Sequence, residues 1–302
     1  MLKDKVVLVT GAGGGIGREM ALLAAREGAK VVVNDLGGSV DGEGSGNTSP
    51  AQKVCDEIGA LGGQAVPNGD SVADPAGAER MVNAAVENFG RIDGVINNAG
   101  ILRDRIFHRM SHMDWKMVID VHLHGAFNVS RAAANFFKEQ KSGAFVHFTS
   151  TSGLVGNFGQ ANYSAAKMGI IGLSRSIALD MAAFNVRSNC ISPFAWTRMI
   201  GTIAADTDAQ KARLEKMQQM TPAKIAPMAV FLLADAAAGI SSQIFGVRMN
   251  EIMLFNANRP VRSVHSSDGW TLEGIAEHAV PSMKPFFTDL KRSPEYFTWD
   301  PI

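Results

Sequence analysis

Tyr163 and Lys167 stand four residues apart in Asn162-Tyr-Ser-Ala-Ala-Lys167. On a helix that spacing stacks both side chains on one face. A fixed ammonium beside a phenol favours the phenolate and lowers a pKa that starts near ~10. Tyrosine can then exchange a proton with an alcohol or a ketone near neutral pH. Ser150 lies thirteen residues upstream of Tyr163, just past the strand-like run Ala144–Phe148, and offers a hydroxyl to hold a substrate oxygen. A helical tyrosine with a solvated lysine neighbour gives the same spacing, so the pair alone does not decide.

The elements that must position these groups begin at the N-terminus. Lys5-Val-Val-Leu-Val9 is an apolar run typical of a buried parallel strand. Thr10-Gly-Ala-Gly-Gly-Gly-Ile-Gly17 follows, and a helical pattern runs from Arg18 to Glu27. A glycine turn between strand and helix lets backbone approach a diphosphate at the helix N-terminus. Ile16 sits where the last glycine of GxGxxG would fall, so the glycines fit TGxxxGxG through Gly11, Gly15 and Gly17. A second strand, Lys30–Asn34, leads into Asp35, eighteen residues past Gly17. A carboxylate there accepts hydrogen bonds from ribose hydroxyls and repels a 2′-phosphate. Leu36 follows with no adjacent Arg or Lys, which favours NAD over NADP; a capping or turn aspartate is the other reading.

Taken together, Gly11 to Gly17, Asp70-Ser71, Asn97-Asn-Ala-Gly100, Ser150 and Tyr163-xxx-Lys167 resemble the short-chain dehydrogenase/reductase family over about residues 4 to 250. The resemblance implies that Asp70 and Ser71 approach the adenine, with Ala99 and Gly100 also against the cofactor. It implies that Asn97 stabilises the central strand near the cofactor and that Lys167 holds the nicotinamide ribose besides tuning Tyr163. Pro193 would lie where the chain passes the nicotinamide and Thr197 would contact the carboxamide. The family's proton-relay Asn falls on His122 here, in Val121-His-Leu-His-Gly125, and whether a relay runs through the imidazole or through a backbone carbonyl and water stays open.

Within the family, Val33–Gly38, Asn97–Arg105, His122 and Gly156–Tyr163 resemble the (3R)-hydroxyacyl-CoA dehydrogenase units of peroxisomal multifunctional enzymes of type 2, a group that also bears the name 17β-hydroxysteroid dehydrogenase type 4. The implied activity is NAD-dependent oxidation of a secondary alcohol, first a (3R)-3-hydroxyacyl-CoA and second a hydroxysteroid. A catalytically silent NAD-binding or scaffold protein is the reading of another class. The presence of Ser150, Tyr163 and Lys167 together speaks against it. The resemblance also implies a homodimer or homotetramer.

The whole chain fits an ordinary soluble enzyme. Its 302 residues suffice for one large α/β domain. Lys plus Arg equals Asp plus Glu at 29 each, which gives no electrostatic case for nucleic acid or an anionic membrane. Cys55 and Cys190 are too few for a disulfide framework. With a strand in the first ten residues, no ~20-residue apolar run and no peroxisomal tripeptide, the expectation is cytoplasmic. No metal site is expected, because His122 and His124, two apart, point to different sides of a helix.

Alternation of strand-like and helical runs argues for a Rossmann-type doubly wound parallel sheet. Strands are expected at Val6–Val9, Lys30–Asn34, Gln64–Pro67, Gly94–Asn97, Ala144–Phe148, Val186–Ile191 and Gln243–Arg248, with an exposed loop from Gly37 to Pro50. Residues 1–250 form the expected catalytic domain. Phe194, Ala195, Trp196, Met199 and Ile200 offer an apolar wall to the site, with packing in the core or in a subunit contact as the other reading, and Lys211–Met220 a helical lid. Arg103, Arg105, Lys211 and Lys216 are candidates to meet a CoA phosphate. Residues 251–302 carry six aromatic residues from Trp270 to Trp299, too many for a disordered tail. They are expected to pack on the domain or on a neighbouring subunit.

Overall fold

The computed structural model describes residues 1–39, 41–42, 49–196 and 215–299. Thr197, Met199, Ile200 and Lys211 lie outside the described residues, as do much of the loop after residue 39 and the first part of the expected lid; residues 215–218 are helical.

Apolar runs of Val, Ile, Leu and Phe become strands because a parallel sheet covered on both faces has no polar side. The eight strands are β1 (Val6–Thr10), β2 (Lys30–Asn34), β3 (Gln64–Asn68), β4 (Gly94–Asn97), β5 (Gly143–Phe148), β6 (Val186–Phe194), β7 (Ile244–Arg248) and β8 (Glu251–Phe255). They line up as β3-β2-β1-β4-β5-β6-β7-β8 in one sheet. Every residue of β1 and of β5 is buried. The first seven strands are parallel and fall within a few residues of expectation. β8 is not foreseen: it folds back antiparallel on β7, pairing Ile244 with Phe255 and Arg248 with Glu251. The sheet therefore runs five residues past the expected boundary at 250.

Helices α1 (Gly15–Arg26) and α2 (Ser49–Ala60), together with Ala226–Phe231, pack on one face of the sheet. Helices α3 (Pro75–Phe89), α4 (His112–Ile119), α5 (Gly125–Gln140), α6 (Thr151–Leu154) and α7 (Ala161–Asp180) follow in chain order, and α3, α5 and α7 cover the other face. Between α4 and α5 the chain makes a π-helical turn, Asp120–His124, so that α4 to α5 is one continuous helical run with a wide turn at His122. Such turns recur at functional sites.

The β1–α1 turn is held by close backbone approach. A Cβ on Gly17 would stand 2.1 Å from the carbonyl oxygen of Gly11 and 2.7 Å from Asn98 Nδ2. Neither can yield without opening the turn. Gly17→Ala should lower the unfolding free energy by about 2–3 kcal/mol. Chemical denaturation measures this, and a change within experimental error would contradict the close approach.

Candidate active site

The start of α1 is built to face an anion. Its N-cap is Gly14, whose lack of a side chain leaves the first-turn N–H groups uncapped. Gly11 and Gly15 have φ of 62° and 54°, in the left-handed region that favours glycine. A Cβ on Gly15 would meet nothing within 4 Å, so the turn is open on that side. Ile16 instead packs part of its side chain against the core beneath. Asp35, just past β2, accepts hydrogen bonds from the N–H groups of Gly13 and Gly37, each at 2.8 Å. It is thus a turn aspartate, while each oxygen keeps a lone pair for a further donor. An uncapped helix start, an open glycine turn and a carboxylate beside them fit a dinucleotide's diphosphate and ribose.

The turn is braced by the end of β1. Thr10 Oγ1 accepts from the N–H groups of Asn98 and Ala99, at 3.0 and 3.1 Å. Asn98 Nδ2 donates to the carbonyls of Thr10 and Gly11. Asn98, which sequence reasoning passed over, therefore braces the glycine turn. Successive residues at a strand end point to opposite sides, so Asn97 turns the other way and donates to Ser130 Oγ at 2.9 Å. Gly100 approaches His122 closely. A Cβ there would stand 2.3 Å from His122 Cε1, so the glycine makes room for the imidazole. Asp70 is held by the Arg80 guanidinium (Nε at 2.8 Å) and by Asn68 Nδ2, and Ser71 Oγ accepts from the N–H of Ala73.

At the end of β5 the three expected groups converge. Tyr163 and Lys167 lie one turn apart near the start of α7, and the ammonium stands 5.4 Å from the centre of the phenol ring. Lys167 Nζ donates to the carbonyl of Phe148 at 2.7 Å, and the carbonyl of Lys167 accepts from Thr149 Oγ1 at 2.7 Å. Ser150 caps α6, its Oγ accepting from the N–H of Ser152, and its hydroxyl biases the Tyr163 phenol toward ionisation. Pro193 lies near the end of β6, paired with Val247.

The electrostatic expectation is corrected here. Burial pushes the Tyr163 phenol up to about 12, with the Ser150 hydrogen bond opposing the rise and Asp104 adding to it. Burial likewise pushes the Lys167 ammonium down to about 7. Part of Tyr163 still reaches solvent, whereas Lys167 is fully enclosed.

The short chain dehydrogenase family matches residues 5–217 of the chain. The chain belongs to the short-chain dehydrogenase/reductase family. The enzyme is therefore an oxidoreductase whose Rossmann-type fold takes a nicotinamide cofactor. It is 46% identical over 256 residues to a short-chain type dehydrogenase/reductase of Mycobacterium tuberculosis, a match that covers 84% of this chain and 86% of that one. It is 42% identical over 276 residues to the peroxisomal multifunctional enzyme type 2 of Mus musculus, covering 88% of this chain but only 36% of that enzyme. A crystal structure of a short chain dehydrogenase from Mycobacterium avium superposes with a TM-score of 0.81 at 37% identity, covering 94% of this chain and 96% of the other.

Behind Lys167 the enzyme buries two imidazoles. His122 Nε2 lies 2.8 Å from the carbonyl of Ile101, and its ring meets Tyr163 edge-on at 5.1 Å. His147, on β5, faces Asn97 Nδ2 at 3.2 Å through Nδ1. Among the described residues His122 Nδ1 and His147 Nε2 have no hydrogen-bond partner. His122, Asn97 and Lys167 share a cavity of about 10 Å³, room for about one water molecule. Burial first, then the Lys167 charge, holds both imidazoles neutral, His147 down to about 3 and His122 well below its ordinary value. His124, by contrast, is exposed and pairs with Asp120.

The C-terminal segment closes over the same end of the sheet. Ser293 donates to the carbonyl of Gly156 through its N–H at 2.9 Å and its hydroxyl at 3.1 Å. Buried Phe297 packs edge-on against Phe194 at 4.9 Å, and Arg292 lies over Phe158. The segment thus joins the loop before Tyr163 to the end of β6. Among the described residues no helix is long and apolar enough to cross a membrane.

The histidines set an acid limit. Between an unfolded value near ~6.5 and about 3 in the folded enzyme, His147 binds more protons unfolded than folded. Stability therefore falls as pH drops through that window. His147→Leu should flatten the decline of the thermal midpoint between pH 6.5 and pH 4, while an unchanged slope would place the acid sensitivity elsewhere.

Proposed function

We propose that the enzyme oxidises a (3R)-3-hydroxyacyl-CoA to the 3-ketoacyl-CoA with NAD, and runs the reverse when supplied with the products. The observation that carries this reading is the convergence of Ser150, Tyr163 and Lys167 at the end of β5, on the edge of the sheet that also bears the glycine turn. Gly11, Gly15 and Gly17 would cradle the diphosphate, Asp35 the adenosine ribose, and Lys167 the second ribose. The bound nicotinamide supplies the hydride acceptor. Ser150 holds the substrate oxygen and Tyr163 takes its proton. Because burial and the Asp104 charge raise the phenol, Tyr163 depends on positive charge beside it. Lys167 provides that charge while protonated, and its short bond to Phe148 keeps the ammonium in place. The acyl thioester and the (3R) configuration rest on the resemblance of Val33–Gly38, Asn97–Arg105, His122 and Gly156–Tyr163 to (3R)-hydroxyacyl-CoA dehydrogenase units.

NADH absorbance with (3R)- and (3S)-3-hydroxyacyl-CoA beside a 17β-hydroxysteroid tests the reading. Turnover of the (3R) thioester is expected, and turnover of the steroid alone would move the substrate. Tyr163→Phe should abolish turnover, at least ~100-fold in kcat, while NAD still protects the protein against thermal unfolding. Near wild-type activity in that variant would remove Tyr163 from the chemistry. Asp35→Ser should shift the kcat/KM ratio toward NADP by ~10-fold or more as like-charge repulsion is relieved; an unchanged ratio would leave Asp35 a turn residue only.

A further inference from the structure

Between β4 and α4 the chain makes an excursion that the chemistry at Tyr163 does not use. Both of its ends are fastened to one side chain. Asn162, fully buried beside Tyr163, donates from Nδ2 to the carbonyls of Arg103 and Asp114, each at 3.0 Å. The N–H of Arg105 bonds to the carbonyl of Gly159 at 2.8 Å, so the excursion is tied to the loop before the catalytic tyrosine as well. Between these ties residues 104–109 and 111–113 are exposed.

What projects is unusual for a soluble surface. Phe107 is 76% exposed and Met113 60%, with Ile106 and Trp115 also open to solvent. Arg105 and Arg109 stand among them. The two carboxylates of the stretch are occupied elsewhere: Asp104 accepts from Gln160 Nε2 at 2.8 Å, and Asp114 closes the capping box of α4 with Ser111. Arg105 donates to the main-chain carbonyl of Asp104 at 3.0 Å and acts on the Asp104 carboxylate through its charge, with no ion pair to it among the described residues. Among the described residues Arg109 has no carboxylate partner. In a chain of zero net charge this is a local cationic and aromatic surface.

We propose that the excursion Arg103–Asp114 is the docking surface for the nucleotide end of coenzyme A, with its phosphates on Arg105 and Arg109 and its adenine on Phe107. The proposal rests on the acyl-thioester reading of the site. Two features select this occupant. Phosphate oxygens match guanidinium donors. An exposed aromatic face offers a purine a stacking platform.

The test compares kcat/KM for one 3-hydroxyacyl group carried on coenzyme A and on pantetheine, in the wild type and in the double variant Arg105→Gln, Arg109→Gln. The wild type should favour the CoA thioester by ~100-fold and the double variant by less than ~5-fold, the difference lying mainly in KM, since each exposed charge-assisted contact is worth ~10-fold. Calorimetric binding of coenzyme A itself should weaken ~10-fold in Phe107→Ala and more in the double variant. A preference retained in the double variant overturns the proposal. So does preferred use of an acyl-carrier-protein thioester, which would make the partner a protein. If no thioester turns over but coenzyme A binds the wild type and not the double variant, the docking surface stands and the proposed reaction fails. If coenzyme A does not bind the wild type, the docking surface is wrong.

Discussion

Lys167 is fastened to the end of β5 twice, and the geometry of the catalytic face depends on that clamp. Its main-chain carbonyl accepts from Thr149 Oγ1 and its ammonium donates to the carbonyl of Phe148. A lysine enclosed in protein resists ionisation, and the short bond from its Nζ to Phe148 holds the side chain against swinging out to water. The clamp requires α7 to lie almost on the strand end. Gly153 allows this: a Cβ there would stand 3.0 Å from the N of Met168 and 3.2 Å from the Lys167 backbone carbon. Tyr163, one turn earlier, inherits its position. The spacing of four residues is then a consequence of where the helix is held, and not its cause.

The same device operates at the other half of the site. Gly17 lets α1 approach the carbonyl of Gly11, and Asn98 ties the end of β4 to the end of β1. Both halves use backbone carbonyls at the carboxyl ends of adjacent parallel strands, the edge at which a doubly wound sheet opens its crevice. Neighbouring strands in the order β1-β4-β5-β6 place the glycine turn, Asn98, Ser150 and Pro193 side by side, although they are far apart in the chain.

Much of this was legible in the sequence, for reasons that also explain what was not. Runs such as Val6–Val9 and Lys30–Asn34 are apolar throughout because both faces of the sheet are covered, so seven strands could be read from them. β8 was missed because Glu-Ile-Met-Leu-Phe has apolar residues on both sides, exposing Ile252 and Leu254, and shows no period of two. Motif spacing located Tyr163 and Lys167 but carried no information on burial, and burial reverses the expected direction for the phenol. Adjacent asparagines could not be told apart by type; only the alternation of a strand end assigns Asn98 to the turn and Asn97 to Ser130. The wide turn at His122 likewise has no signature in its own residues. Its imidazole fits because Gly100, twenty-two residues earlier, leaves space for it.

The C-terminal segment shows how unevenly the stability of the site is distributed. Phe297 and Ser293 are buried against Phe194 and Gly156, while among residues 256–291 Ala279 alone is buried. A stretch with so few apolar contacts opens at a small fraction of the global unfolding free energy. Releasing residues 292–299 breaks the two hydrogen bonds to Gly156, the bond from Trp299 Nε1 to the Glu251 carboxylate, the Arg292–Phe158 and Arg248–Trp299 contacts and one aromatic cluster. Releasing α7 would break the Lys167 clamp and expose the buried Ile170, Ile171 and Ser174 with it. The order of opening follows: the strap parts before the helix moves. The loop from Gly156 to Gln160 can therefore change its outer contacts while Tyr163 stays fixed, because Asn162 holds the helix start to Arg103 and Asp114 from the inner side.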